Sequence, residues 1–600
     1  MMQTTAESND RWTFDTWFTG FGNTDYTQFK ETLVHDIANL KTQVSALQNN
    51  PEAIIKAIQA FETLCDRLEH LSNYILCLQA ENVSNEPVKK DKAWIATLQA
   101  EATKLKTSLQ AKLAALSDTV FETVVNNELL EGAKHEVKRM REEGQHLMNT
   151  EMEALAADLG INGLHAWGRL YDTLAGQMEF QMTFPDGHRE IVPMSRRRAL
   201  MAGPDRALRQ AAFHDGQKPW QDHAETLAAC LNGIAGTRLS LYRHRNISNF
   251  LDLPLFDSAL SRASLEAMLD AIHKNLELPR RALRAAARLQ KTPALHYFDL
   301  EAPQIVAAEE KPLSWGNACE IVEQSFRSAY PKFGQYFCDM LNNRWIEAEP
   351  RADKLPGAFC TGSRFKLEER AFLSFHGTLH DVVTTAHEVG HAWHARVLRP
   401  KRSMATHCPM TLAETASNFG EMILLNSLLD DPDISPEKKA TLIDQQMLRA
   451  HGYLINIPMR FHFEKAFYTE RACGELSVSR FCELMEQSQR ELYGDTLLSD
   501  GTDPFFWASK MHFFITDVSF YNFPYVFGYL LSQALYARFN EEGAAFLPRY
   551  EAFLANTGSN TCEEVARNTL GVDLTNPDFW AEALRTIEPA LKEYEALGSK

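Results

Sequence analysis

Five residues constrain this chain more than any others: His387, Glu388, Val389, Gly390 and His391. Two histidines four positions apart share a face on an α-helix, one turn apart, so both imidazoles can reach one metal ion. The stretch is therefore expected to fold as a helix. Glu388 follows the first histidine, the position from which a carboxylate activates zinc-bound water. The flanks agree, with Asp381 as a possible cap and residues 392–398 continuing the pattern to Pro400. With 20 histidines in 600 residues, chance alone gives such a pentad about once in twenty chains. The rest of a site must therefore be found in the same sequence.

A catalytic zinc takes three protein ligands and keeps a fourth position open. The metzincin completion needs glycine at 394 and histidine at 397, whereas the chain has His394 and Val397. That option fails. The other completion draws a glutamate from a following helix. Glu414 and Glu421 both stand in reach, seven positions apart and so on one helical face. His394 lies one turn beyond His391 and reads as a packed or supporting histidine.

Around this motif the chain reads as mostly helical. Phe29, Leu33, Ile37, Leu40 and Val44 recur every three or four positions, as do Ile54, Ile58, Phe61, Leu64, Leu68 and Leu71. Residues 178–194 alternate about a turn at Pro185, Asp186 and Gly187, which predicts a hairpin. The division expected is an N-terminal helical domain over 1–200 and a catalytic domain over 201–600. Arg196, Arg197 and Arg198, at the boundary, read as a solvated or capping run. Residues 371–375 read as a short strand just before the motif helix, with an edge on which an extended peptide could pair.

The net charge of −18, from 61 basic and 79 acidic residues, argues against nucleic acid or an anionic membrane as the main partner. The ten cysteines are dispersed with no CxxC pair, which fits reduced thiols in the cytosol. Residues 1–10 have neither the basic nor the apolar part of a secretory leader. The aromatic stretch 512–531 contains His512, Asp517, Asn522 and Pro524, so it reads as buried protein or a cleft wall. The expectation is a soluble, cytoplasmic protein.

HEVGHAWH at 387–394, followed by Glu414 and Ser417 as ExxS, resembles the thimet oligopeptidase and oligoendopeptidase F family, which carries HExGHxxH and then ExxS. Further stretches at 297–303, 357–360, 377–379, 463–465, 493–495 and 521–529 are similar to the oligoendopeptidase F branch. The resemblance implies zinc, one ion per chain, held by His387, His391 and Glu414. Glu388 is then the general base on zinc-bound water, and Glu421 holds a histidine tautomer. It also implies a mainly α, ellipsoidal fold with a deep substrate channel, a small β element beside the motif helix, and short peptides as substrates. Oxyanion donors are implied among His512, Tyr521 and Tyr529, with Tyr525 weaker; on a helix the three tyrosines would share one face. The reaction implied is internal cleavage of short peptides. A carboxypeptidase or dipeptidase with the same ligands, and a peptide-binding protein with structural zinc, are the alternatives.

Overall fold

The computed structural model describes residues 10–305 and 311–598. The stretch 1–9, expected to carry no leader, lies outside them. Helix accounts for 69% of the chain and strand for 4%, so the mainly α reading holds. The chain forms two compact units, each assembled from three stretches. The first comprises Met1–Leu147, Lys311–Asp430 and Arg538–Gly571; the second comprises Met148–Glu310, Asp431–Ala537 and Val572–Lys600.

In the first unit the periodic stripes form long helices: α1 (Thr24–Ala46), α2 (Pro51–Glu81) and α3 (Glu86–Ala114). Asn50 starts α2 by accepting from the backbone N–H of Glu52 and Ala53, with Pro51 supplying a φ already suited to the first turn. The predicted stripe residues Leu33, Ile37, Ile58, Leu64 and Leu71 are buried in the shared core. Residues 10–23 add an aromatic layer that periodicity did not reveal. Trp12, Phe14, Trp17 and Phe18 are buried, and Arg370 lies over the rings of Phe14 and Trp17 while donating to the Thr13 carbonyl.

The same unit carries a three-stranded sheet in the order β3–β5–β4, with β3 at Ile346–Glu347, β4 at Phe359–Ser363 and β5 at Glu368–Phe372. β5 begins at Glu368, earlier than expected, and occupies the middle of the sheet. It therefore has no free edge; the edges belong to β3 and β4, and β4 is the one whose residues line the cavity beside the motif helix. Ala371 and Leu373 donate to the carbonyls of Trp345 and Glu347 on the β3 side. Glu368, Arg370 and Phe372 therefore pair with β4 through Ser363, Thr361 and Phe359. The peptide groups of Cys360 and Gly362 point to the outer edge, where the Gly362 carbonyl accepts from Asn73 Nδ2 at 2.7 Å.

In the second unit β1 (Glu179–Thr183) pairs antiparallel with β2 (Arg189–Pro193), as the alternation predicts. Gly187 adopts φ +89° in the turn, a conformation that only glycine takes without strain. Arg197 is not solvated. It is buried, lies over Phe180 and donates to the Ala212 carbonyl, and burial pulls its pKa down to about 10. No helix among the described residues is long and apolar enough to cross a membrane.

Candidate metal centre

The motif helix runs from Leu379 to Leu398. Its cap is Thr378, and Asp381 closes the box from the third position: Thr378 Oγ1 accepts from the Asp381 N–H, and Asp381 Oδ2 accepts from the Thr378 N–H. Gly377 before it adopts φ +87°, and a Cβ there would stand 2.7 Å from Pro312 Cβ. The second glycine of the motif has a different reason. A Cβ on Gly390 would stand 2.6 Å from both the Ala416 carbonyl oxygen and Ser417 Cα. The motif helix thus packs directly on the backbone of the helix Thr415–Leu429, which brings Glu414 to the histidines.

Glu414 occupies the joint between the short helix Met410–Ala413 and the helix Thr415–Leu429. His387 Nε2 and His391 Nε2 lie 3.1 Å apart, and each is 3.4 Å from Glu414 Oε2. Ligand atoms about 2.05 Å from a tetrahedral ion stand about 3.3 Å from one another. The three atoms therefore form the triangle that a zinc ion would cap. Among the described residues this is the His, Cys and carboxylate group compact enough to hold a metal. Ser417 Oγ donates to Glu414 Oε2 at 2.8 Å, which explains the ExxS spacing. Burial pushes the Glu414 pKa up, but His391, His387 and Ser417 outweigh it and hold the carboxyl at about 2.

Two further carboxylates flank the triangle. His387 Nδ1 is 2.5 Å from Glu421 Oε1, so Glu421 fixes the tautomer that leaves Nε2 free to ligate. Glu388 is buried, and its Oε2 has no hydrogen-bond partner among the described residues. Burial raises its pKa, with His387 and His391 opposing. A cavity of ≈ 670 Å³ opens beside these residues, lined by β4 together with His387, Glu388, His391 and Glu414.

A family model described as peptidase family M3 matches residues 199–586, and one described as oligopeptidase F matches 112–180. The chain belongs to peptidase family M3. An oligoendopeptidase F homolog of Lactococcus lactis is 22% identical over 405 residues, 67% of this chain and 66% of its own length. The chain thus spans about two thirds of that relative. An oligoendopeptidase F homolog of Borreliella burgdorferi is 20% identical and covers 92% of both chains. Among solved structures, one from Chlamydophila abortus superposes with a TM-score of 0.84 at 20% identity, over 98% of both chains. The oligoendopeptidase-F from Enterococcus faecium gives 0.70 at 19% identity, over 95% of this chain and 98% of its own. At such identities these structures speak to the M3 fold alone.

The other predicted residues separate into two places. His394 is buried, and its Nε2 lies 2.8 Å from Thr557 Oγ1, outside the metal triangle. His512, Tyr521, Tyr525 and Tyr529 belong to the second unit. The late helix starts at Phe523, so Tyr521 precedes it. Tyr521 packs edge-on against His512, and its hydroxyl lies 2.6 Å from that of Tyr525. Tyr529 is buried and stacks on Tyr453 at 4.4 Å. Sequence reasoning missed Asn73, which caps the β4 edge from 289 positions away. It also missed Arg399 and Tyr336, which hold the cavity-lining Glu369. No local pattern marks any of them.

Proposed function

We propose that this M3 chain is a zinc-dependent oligoendopeptidase that hydrolyses internal bonds of short peptides, with one zinc per chain held by His387, His391 and Glu414. The observation that carries the reading is the near-equilateral triangle of Nε2, Nε2 and Oε2 with Glu388 beside it. When bound, zinc supplies a Lewis acid that polarises a carbonyl and acidifies water. Glu388 receives the proton from the attacking water and passes it to the leaving amine. Its uncommitted Oε2 suits that traffic. A purely structural site has no use for such a base and closes with four protein ligands.

The outer edge of β4 is the proposed docking strand. Cys360 N–H, Cys360 C=O and Gly362 N–H are the backbone groups placed to pair with an extended peptide, and Asn73 ends the pairing at the Gly362 carbonyl. Tyr521 is proposed as an oxyanion donor ahead of Tyr529, because Tyr529 is buried against Tyr453. His512 stands with Tyr521. The functional division at 200 is supported by the M3 match that begins at 199.

The test is metal analysis of the purified protein with a mass-spectrometric digest of end-blocked peptides, with and without chelator. About one zinc per chain and internal cuts that chelation abolishes are expected. End trimming alone would make the enzyme an exopeptidase, and binding without hydrolysis would leave a peptide-binding protein. Glu414→Ala should lose zinc; full occupancy in that variant would move the third ligand elsewhere.

A further inference from the structure

Five glutamates line the cavity beside the metal triangle: Glu69, Glu368, Glu369, Glu388 and Glu414. Four of them have a counterpart or a task. Arg370 Nη2 lies 2.9 Å from Glu368 Oε2, and Arg399 and Tyr336 hold Glu369. Glu414 belongs to the triangle. Glu388 is 5% exposed, and its Oε2 lacks a hydrogen-bond partner among the described residues, which marks the cavity as a place for a ligand. Glu69 faces the same space from α2 and makes no hydrogen bond or ion pair among the described residues.

Two neighbours on α2 fix its place. Asn73, one turn along the same helical face, caps the Gly362 carbonyl, and the Nδ1 of His70 lies 2.8 Å from Ser363 Oγ. These contacts clamp α2 to the end of β4, so Glu69 stands in the cavity where the β4 edge stops. The charge around it is unbalanced. Glu62, two turns back, has Arg402 as its partner, whereas Asp66, one turn back, accepts from the Ser403 hydroxyl. Enclosure raises the Glu69 pKa, Asp66 raises it further, and Arg364 opposes them. Yet the Arg364 guanidinium donates to the backbone carbonyls of Leu398 and Lys401. Two carboxylates thus share one guanidinium that is committed elsewhere, and this wall is one positive charge short.

We propose that Glu69 is a specificity-determining residue that receives a lysine or arginine side chain of a peptide seated on the β4 edge. This rests on the peptidase reading above and adds a substrate class to it. Internal cleavage needs no free amine on the peptide, which leaves a basic side chain as the source of the missing charge. The carboxylate accepts from that side chain in a space walled by protein, where a charged hydrogen bond is worth more than on an open surface.

The experiment measures kcat/KM for acetylated and amidated peptides in which a single lysine is moved one position at a time, each paired with the same peptide carrying norleucine there. At about pH 8 an ordinary histidine is neutral, so His407 in the same cavity adds no charge. In the wild type, lysine should exceed norleucine about 10-fold at one position relative to the cut, the worth of one charged hydrogen bond. Glu69→Gln should bring that ratio close to one, and Glu69→Lys should reverse it, with glutamate ahead of norleucine. Each ratio compares two peptides on one enzyme, so it stands even where a variant loses Tm or zinc. The same lysine-to-norleucine ratio in the wild type and Glu69→Gln overturns the proposal. So does a lysine preference spread evenly over all positions, which the net charge of −18 alone would produce. If the wild type cleaves no blocked peptide, the peptidase reading falls and this inference falls with it. Cleavage that ignores Glu69 removes only the inference.

Discussion

The metal centre and the His512 segment differ in how their parts are joined. Each candidate ligand of the first unit sits on the motif helix or at the start of the helix packed on it, and Gly390 sets the distance between the two. The late segment draws on separate pieces: a helix beginning at Phe523, the largely buried stretch before it, and Arg460 from elsewhere in the second unit. Helical spacing pairs His387 with His391 in the first arrangement, and the close packing at Gly390 brings Glu414 to them. In the second, the side chains that matter are chosen by buried hydrogen bonds, and spacing misleads: Tyr521 and Tyr529, eight apart, do not share one helix face.

This contrast can be broken by experiment. The largest effect belongs to Glu388→Gln, which should keep zinc and lose on the order of 10³-fold in kcat, within the span of general base catalysis. Unchanged turnover would remove Glu388 from the chemistry. Next, Tyr521→Phe should cost on the order of 10²-fold in kcat as a lost oxyanion donor, while Tyr529→Phe should cost only a few-fold. The reverse ranking would restore the helical-face reading of the tyrosines. Glu421→Gln should weaken zinc affinity about 10-fold to 100-fold, measured by competition with a chelator, because His387 loses the carboxylate that orients it. An unaltered affinity would mean that helix packing alone orients the ring. The smallest effect is Gly390→Ala. The added methyl meets backbone at 2.6 Å, so stability should fall by about 1–3 kcal/mol, with zinc content falling as the helices part. A neutral melt would show that the two helices can separate at no cost.

Much of the metal centre was legible because its information is local. His387 and His391 are four apart, Ser417 is three from Glu414, and a helix converts those spacings into positions whatever surrounds it. Spacing offered Glu421 as an alternative to Glu414, and the ExxS resemblance at Glu414 gave Glu421 the supporting part. The strand before the motif was legible only as a strand. Its place in the middle of the sheet depends on β3 and β4, which pair with it from outside the window that periodicity reads. Arg197 carries five N–H donors in a basic run, and nothing in that run tells that Phe180 and Ala212 will bury it.

The sequence by itself determined the mainly helical class, the candidates His387, His391 and Glu414 with Glu388 between the histidines, and the motif spacings that mark the family. These follow from helical geometry and from the ligands zinc accepts. The tertiary structure decided which strand offers an edge, where Asn73 closes it, and which tyrosine stands beside His512. Those are outcomes of pairing and burial between residues far apart in the chain, where a polar atom removed from water takes the partner that packing brings to it.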